Sequence, residues 1–508
     1  MKPSRWVVGV IGLILLILSV WQIRDAARGL KFVRAQSGGV PLVFVGPADA
    51  MDGSRPLVLV AHGFAGSGTV MRGFAYTLAH AGYVTALWDF DGHGANPNPM
   101  PADSLSGSLL PDAKAALAEA GRLGLADTRR VAILGHSMGS GVALTFGQTH
   151  PETMATIAVS PVGTSVTPEL PHNLLLMAGS LEPSFASNAE KRLAEAGGAG
   201  GDLANGTGRK LRIIPNVEHI SILFSTLAHA TALDWLNAIF GTQPGAVPYT
   251  DRRIIWFGVG ILGTLLAAAT SIPRASGASP AVETAPTFGA APKFGAAPTF
   301  GAARPLGWRI GALAGGALAG TLLLWILGLA GLNLSVLMGL RVGGSLILWF
   351  ALAGLVGLAL MGTRLALPSP GELLSGLLIF AALWLGVGLL GGVVWLPWLL
   401  IPKRLVLWPL GILLMLPWFL AVGQAIRRAN GWGRLGWWLF YSVLLFAAIT
   451  LAIRLTPELG FLALLLPVFP IVLAFHAIPN APQKGVWSFA LSGVLFVSWL
   501  LLAVFPLI

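Results

Sequence analysis

Gly135-His136-Ser137-Met138-Gly139 stands between the apolar run Val131-Ala132-Ile133-Leu134 and the run Ser140-Gly141-Val142-Ala143-Leu144. A short apolar run, a glycine-flanked serine and a helix-compatible run describe a strand, a tight turn and a helix. Glycines two places either side of Ser137 let the backbone pass closely and take up angles that a side chain resists. The helix that follows points its unbonded amides at the serine, so the Met138 N–H is placed to donate to a developing oxyanion. The chain holds 65 glycines, so this pentapeptide carries weight only together with its neighbours.

Upstream, Leu57-Val58-Leu59-Val60-Ala61 reads as a buried strand ending in His62-Gly63-Phe64-Ala65-Gly66. Gly63 lets the chain turn over the serine, and the Phe64 amide is the expected second oxyanion donor. His62 reads as a structural loop residue. Asp91 and His93, after the strand Val84-Thr85-Ala86-Leu87-Trp88, read as loop braces. Downstream, Leu174-Leu175-Leu176-Met177-Ala178 is followed by Glu182, a carboxylate just past a strand's C-terminal end, the edge where open α/β sheets place their chemistry. Lys210-Leu211-Arg212-Ile213-Ile214 leads to His219 on the next loop. That histidine can accept the serine proton at one ring nitrogen while Glu182 holds the other. Glu190, Asp202 and Glu218 are alternative acids and His229 an alternative base, each less well placed, in helical or glycine-rich surroundings or directly beside His219.

The order serine, acid, histidine and the motifs around it resemble the α/β-hydrolase family over roughly residues 30–241. The resemblance implies an α/β fold with a mostly parallel sheet and helices on both faces. It implies Ser137 as nucleophile, Glu182 as acid, His219 as base, the Phe64 and Met138 amides as oxyanion hole, and no cofactor or metal. Many members carry aspartate where Glu182 stands. Only residues 160–173 separate two of the strands, too few for a helical cap, so the expected site is open and admits bulky or lipid-like esters.

The rest of the chain has another character. It is 55% hydrophobic and 10% charged over 508 residues, with a mean hydropathy of +0.76, a composition that points to membrane rather than to a soluble domain. Residues 6–22 are apolar, flanked by Lys2, Arg5, Arg24 and Arg28 and by Trp6 and Trp21 at the ends, and read as an uncleaved signal anchor. Further stretches long enough to span a bilayer lie near 254–271, 310–332, 342–362, 373–400, 404–423, 435–453, 459–477 and 487–507. The expected organisation is an anchor at 1–28, an α/β-hydrolase-type domain at 29–250, and an all-α polytopic transmembrane domain of about eight helices at 251–508. A linker at 272–307 carries the repeat Ala285-Pro286-Thr287-Phe288-Gly289-Ala290, too rich in proline and glycine to pack a core.

Charge divides the chain at the same place. Through Asp251 there are 17 Lys and Arg against 18 Asp and Glu; beyond it there are 15 against 3. The basic excess belongs to membrane loops, with no basic patch on a soluble module to suggest nucleic acid. Its distribution predicts a bacterial-type plasma (inner) membrane with the hydrolase-like domain on the extracytoplasmic side. With no cysteine, disulfides and thiol chemistry are excluded. The expected activity is a membrane-anchored serine hydrolase acting on carboxylic esters, with the bilayer and an ester or lipid-like substrate as partners. Acyl transfer through the same triad and a transporter with an accessory hydrolase domain are the alternatives. The second is disfavoured because the only carboxylates beyond Asp251, at Glu283, Glu372 and Glu458, lie in loops or at span ends, and only His476 is ionisable within a span.

Overall fold

The computed structural model describes residues 5–103, 107–274, 304–362 and 365–508, so the phenylalanine-glycine-alanine repeats lie outside the described residues. The described residues fall into two compact units. One holds residues 17–260 together with 388–404 and 503–508; the other draws on 5–16, 261–387 and 405–502.

The first unit is built on eight strands, β1 (Leu30–Ser37), β2 (Val40–Pro47), β3 (Pro56–Ala61), β4 (Val84–Trp88), β5 (Asp127–His136), β6 (Ala155–Val159), β7 (Leu174–Gly179) and β8 (Arg209–Ile214). Their order in the sheet is β1-β2-β4-β3-β5-β6-β7-β8. β1 and β2 are antiparallel, and β2 pairs antiparallel with β4; from β4 to β8 every pairing is parallel. Residues 57–60 pair with 84–87 on one side and 131–134 on the other. The chain therefore leaves β3 in one direction for β4 and returns to its other side for β5. That reversal opens a crevice beyond the C-terminal ends of β3 and β5, the place where such sheets bind ligands.

Alternation of side chains sets the layers. Val58 and Val60 face Phe74, Ala75 and Leu78 of α2 (Arg72–His80) and Ala228, Ala232 and Leu236 of α6 (Thr226–Phe240). Leu57, Leu59 and Ala61 face the opposite layer, formed by α3 (Leu110–Arg122) and α4 (Met138–Thr149). Strands buried on both faces must be apolar throughout, which is why β3 and β7 read as unbroken hydrophobic runs. α5 (Pro183–Glu195) links β7 to β8, whereas residues 160–173 join β6 to β7 without a helix.

Among the described residues, eight helices are long and apolar enough to cross a membrane: Arg5–Asp25, Arg253–Ser271, Leu306–Leu329, Gly343–Met361, Pro370–Val394, Pro402–Ile426, Gly431–Leu455 and Val486–Val504. The chain is a multi-pass membrane protein. Glycines bring helices together where hydrophobic pressure cannot: Gly12 and Gly263 lie against each other's carbonyls, and Gly316 packs on the Ala353 carbonyl. The expected span at 459–477 is broken into a 3-10 turn at Pro457–Leu459, a four-residue helix at Leu462–Leu465, and the helix Val468–Asn480. Pro457, Pro467 and Pro470 each remove a backbone donor there.

Arg253, Arg404 and Phe505 belong to one unit, and on the expectation that their segments emerge on one side of a bilayer, parity bears on this broken stretch. Between Arg253 and Arg404 run four long helices, an even number; between Arg404 and Phe505 run three. A further crossing between residues 455 and 486 is then expected. The local contacts agree, because Arg434 at the start of Gly431–Leu455 donates to the Asn480 carbonyl (2.7 Å), and Gln483 donates to the Pro273 carbonyl (3.1 Å) just past the end of Arg253–Ser271. In this cysteine-free chain, Glu458→Cys and Pro482→Cys are expected to react with an impermeant maleimide from opposite faces; labelling of both from one face would remove the ninth crossing.

Candidate active site

The pentapeptide forms the turn from β5 into α4, with Ser137 at φ +53° and ψ −121°. A Cβ on Gly135 would overlap the Gly139 carbonyl, and one on Gly139 would sit 2.5 Å from the His62 carbonyl oxygen. Both positions are therefore closed to any side chain. The Ser137 amide donates to the Val159 carbonyl (2.9 Å), which ties the turn to β6.

Three side chains from three loops at this edge meet in a line. His219 Nε2 lies 3.0 Å from Ser137 Oγ, and His219 Nδ1 lies 2.8 Å from Glu182 Oε2. A carboxylate only accepts, so Nδ1 carries the proton and Nε2 is left to receive one from the serine hydroxyl. The other Glu182 oxygen accepts from the Gly179 amide (2.6 Å) and the Ser160 hydroxyl (2.7 Å). Ser137, Glu182 and His219 are 8%, 6% and 5% exposed; even without a helical cap they sit deep in the crevice, and the Phe185 ring stacks on His219 at 4.1 Å.

The alternative residues are used elsewhere. The Glu218 carboxylate accepts from the Ile220 and Ser221 amides (2.8 and 2.7 Å). Asp202 caps its own turn through Ala204, Glu190 is exposed on α5, and His229 is bonded to the Leu223 carbonyl within its own segment. Of the expected oxyanion donors, Met138 is the first residue of α4. Phe64 follows Gly63, on which a Cβ would lie 3.1 Å from Ser137 Cβ, so the peptide between them runs beside the serine.

A family model, Hydrolase_4, described as serine aminopeptidase S33, matches residues 52–194. The chain carries an α/β-hydrolase domain. No curated protein matches the sequence. Similar solved structures include a bacterial membrane phospholipase A, 14% identical over 45% of this chain and 93% of that one with a TM-score of 0.34. Another is a dienelactone hydrolase from Anabaena variabilis, 21% identical over 42% and 99% with a TM-score of 0.31.

Sequence reasoning did not reach three residues of this candidate site. Ser160 holds Glu182, Phe185 covers His219, and His136 Nε2 donates to the His219 carbonyl (2.9 Å). Ser160 carried one signal, a polar residue directly after β6 on the same sheet edge. Phe185, whose ring stacks on His219, also lines a hollow of about 460 Å³ with Pro161, Val162, Ser187, Asn188 and Lys191 among others.

Beneath Phe64 the loop after β4 is braced as expected. Asp91 accepts from the Asn96 and Asn98 side chains (3.0 and 2.9 Å), and His62 Nε2 accepts from the Phe90 amide (3.0 Å). Burial lowers the pKa of His62, His93 and His136, most strongly for the last two, so these imidazoles stay neutral. Burial also pushes Asp112 up from 3.8 to about 7, although it accepts from the Asp91 amide. Native protein then holds a proton that the unfolded chain releases. Stability is expected to fall as pH rises from about 4 to 7, and Asp112→Asn to flatten that slope in denaturation midpoints measured against pH. Ser160→Ala removes a hydrogen bond to the acid and is expected to lower turnover about tenfold with KM little changed.

Proposed function

We propose that this protein is a membrane-embedded serine esterase acting on uncharged or anionic, lipid-like esters. The observation that carries the reading is the continuous relay from Glu182 through His219 to Ser137. Ser137 Oγ attacks the ester carbonyl carbon as His219 Nε2 takes its proton, and Glu182 stabilises the imidazolium. The oxyanion is received by the Phe64 and Met138 amides. Collapse of the tetrahedral species breaks the C–O bond, and His219 returns the proton to the departing alkoxide. Water, deprotonated by the same nitrogen, then releases the acid from Ser137.

The family model's description names an aminopeptidase, a reaction whose substrate presents a cationic α-amino group. The hollow that shares Phe185 with the relay carries Lys191 and no carboxylate among its lining residues, which is the observation that inclines the reading to esters. Transport is not favoured by the membrane unit. Glu372 is engaged in a capping box with Ser369, and His476 is bonded to Phe489 and Ser492. In the orientation supported by the loop charges, the catalytic unit faces away from the cytoplasm of a bacterial-type membrane.

Ser137→Ala and His219→Ala are each expected to cut ester turnover by about three orders of magnitude or more, and Glu182→Gln by less. Ser137→Ala should also lose labelling by a fluorophosphonate. Wild-type turnover and labelling in that variant would overturn the reading, and faster cleavage of aminoacyl amides than of esters would replace the substrate class.

A further inference from the structure

We propose that Arg404 and the C-terminal residues 505–507 are positioning elements of the oxyanion hole, so that the catalytic unit is completed by chain that lies beyond the hydrolase-like segment. The proposal rests on the reading of Ser137, His219 and Phe64 given above. Its starting point is Gly92, in the loop between β4 and α3, at φ +78°. The Gly92 carbonyl accepts from Arg404 Nη2 (2.7 Å) and from the Leu507 amide (2.8 Å). Arg404 Nη1 donates to the Phe505 carbonyl (2.6 Å), and the Leu507 carbonyl accepts from the Met100 amide (2.8 Å). A Cβ on Gly92 would stand 2.5 Å from that Leu507 oxygen, so the tail lies flat on the loop. Lys403 adds a bond to the Pro97 carbonyl (2.8 Å).

Arg404 is fully buried. Charge-assisted bonds from a buried guanidinium are short and strong, so Nη1 and Nη2 hold the Phe505 and Gly92 carbonyls at fixed places. What they hold leads directly to the active site. His93, next to Gly92, donates from Nδ1 to the Asp91 carbonyl (3.0 Å) and packs edge-on against His62 (5.2 Å) and Phe64 (5.8 Å). His62 in turn accepts from the Phe90 amide and bonds the Gly63 carbonyl (2.7 Å). Asp89 closes the loop by accepting from the Gly68 and Ala95 amides, both at 2.8 Å. The peptide that carries the Phe64 donor therefore rests on imidazoles, and those rest on a loop clamped from outside by Arg404 and Leu507. Phe64 and its neighbours have no regular secondary structure to hold them, so the clamp sets their place.

The test uses the full chain in detergent with p-nitrophenyl butyrate as substrate, and turnover is expressed per fluorophosphonate-titrated site. Two variants are compared with wild type: Arg404→Ala, and a chain ending at Phe505, which keeps the Arg404–Phe505 bond and loses Leu507. An oxyanion donor acts in the transition state, so kcat per titrated site is expected to fall about 10²-fold in Arg404→Ala, and less in the truncated chain, with KM little changed. Methylguanidinium should restore part of the Arg404→Ala loss. Should Arg404→Ala not fold, the truncated chain decides alone. Wild-type kcat per titrated site, with only the number of sites reduced, would overturn the proposal and leave the clamp a structural device. A Ser137→Ala variant run beside these separates the two ideas, because activity surviving there defeats the esterase reading, whatever Arg404 does.

Discussion

Ser137 occupies a left-handed backbone conformation that a serine does not adopt without compensation, and the molecule around it is arranged so that this is the conformation that fits. The close approach of Gly135 to Gly139, and of Gly139 to the end of β3, leaves no room for another path. From that constraint the helix α4 begins directly after the serine, and Ser137 projects from the middle of a parallel sheet whose neighbours on both sides are buried. Relaxing the turn would move the serine, the Met138 amide and the helix together.

The buried polar groups around the turn each have a defined task. Glu182 spends one oxygen on its own loop and on Ser160, which leaves the other to orient His219. His136 holds the backbone of the base while remaining neutral, because burial makes a second charge next to His219 costly. The backbone and side chains around His219 are thus held by neutral donors and acceptors, and Glu182 is the one carboxylate bonded to its ring.

Chain order and spatial order diverge most in the unit that holds the site. Its sheet comes from one continuous segment, yet a loop from between two membrane helices and the last residues of the chain belong to it as well. Prolines within residues 457–470 break the helix that hydropathy would draw there.

The α/β-hydrolase domain, its strand order of serine, acid and base, and the apolar spans were legible in sequence because each rests on local chemistry: glycine spacing at a strand end, unbroken hydrophobic runs, and lengths matched to a bilayer. Ser137, Glu182 and His219 were nominated for that reason, and the structure brings the three within hydrogen-bonding distance. Ser160, Phe185 and His136 were not, since nothing in a strand-end serine, a helix phenylalanine or an elbow histidine says which side chain it will meet. In sequence, Arg404 is one of the 15 Lys and Arg beyond Asp251, with nothing to single it out. Only tertiary structure could bury it against Gly92 and Phe505, residues 312 and 101 positions away. The pairing of carbonyls so distant is set by how the chain folds back on itself, which no local pattern encodes.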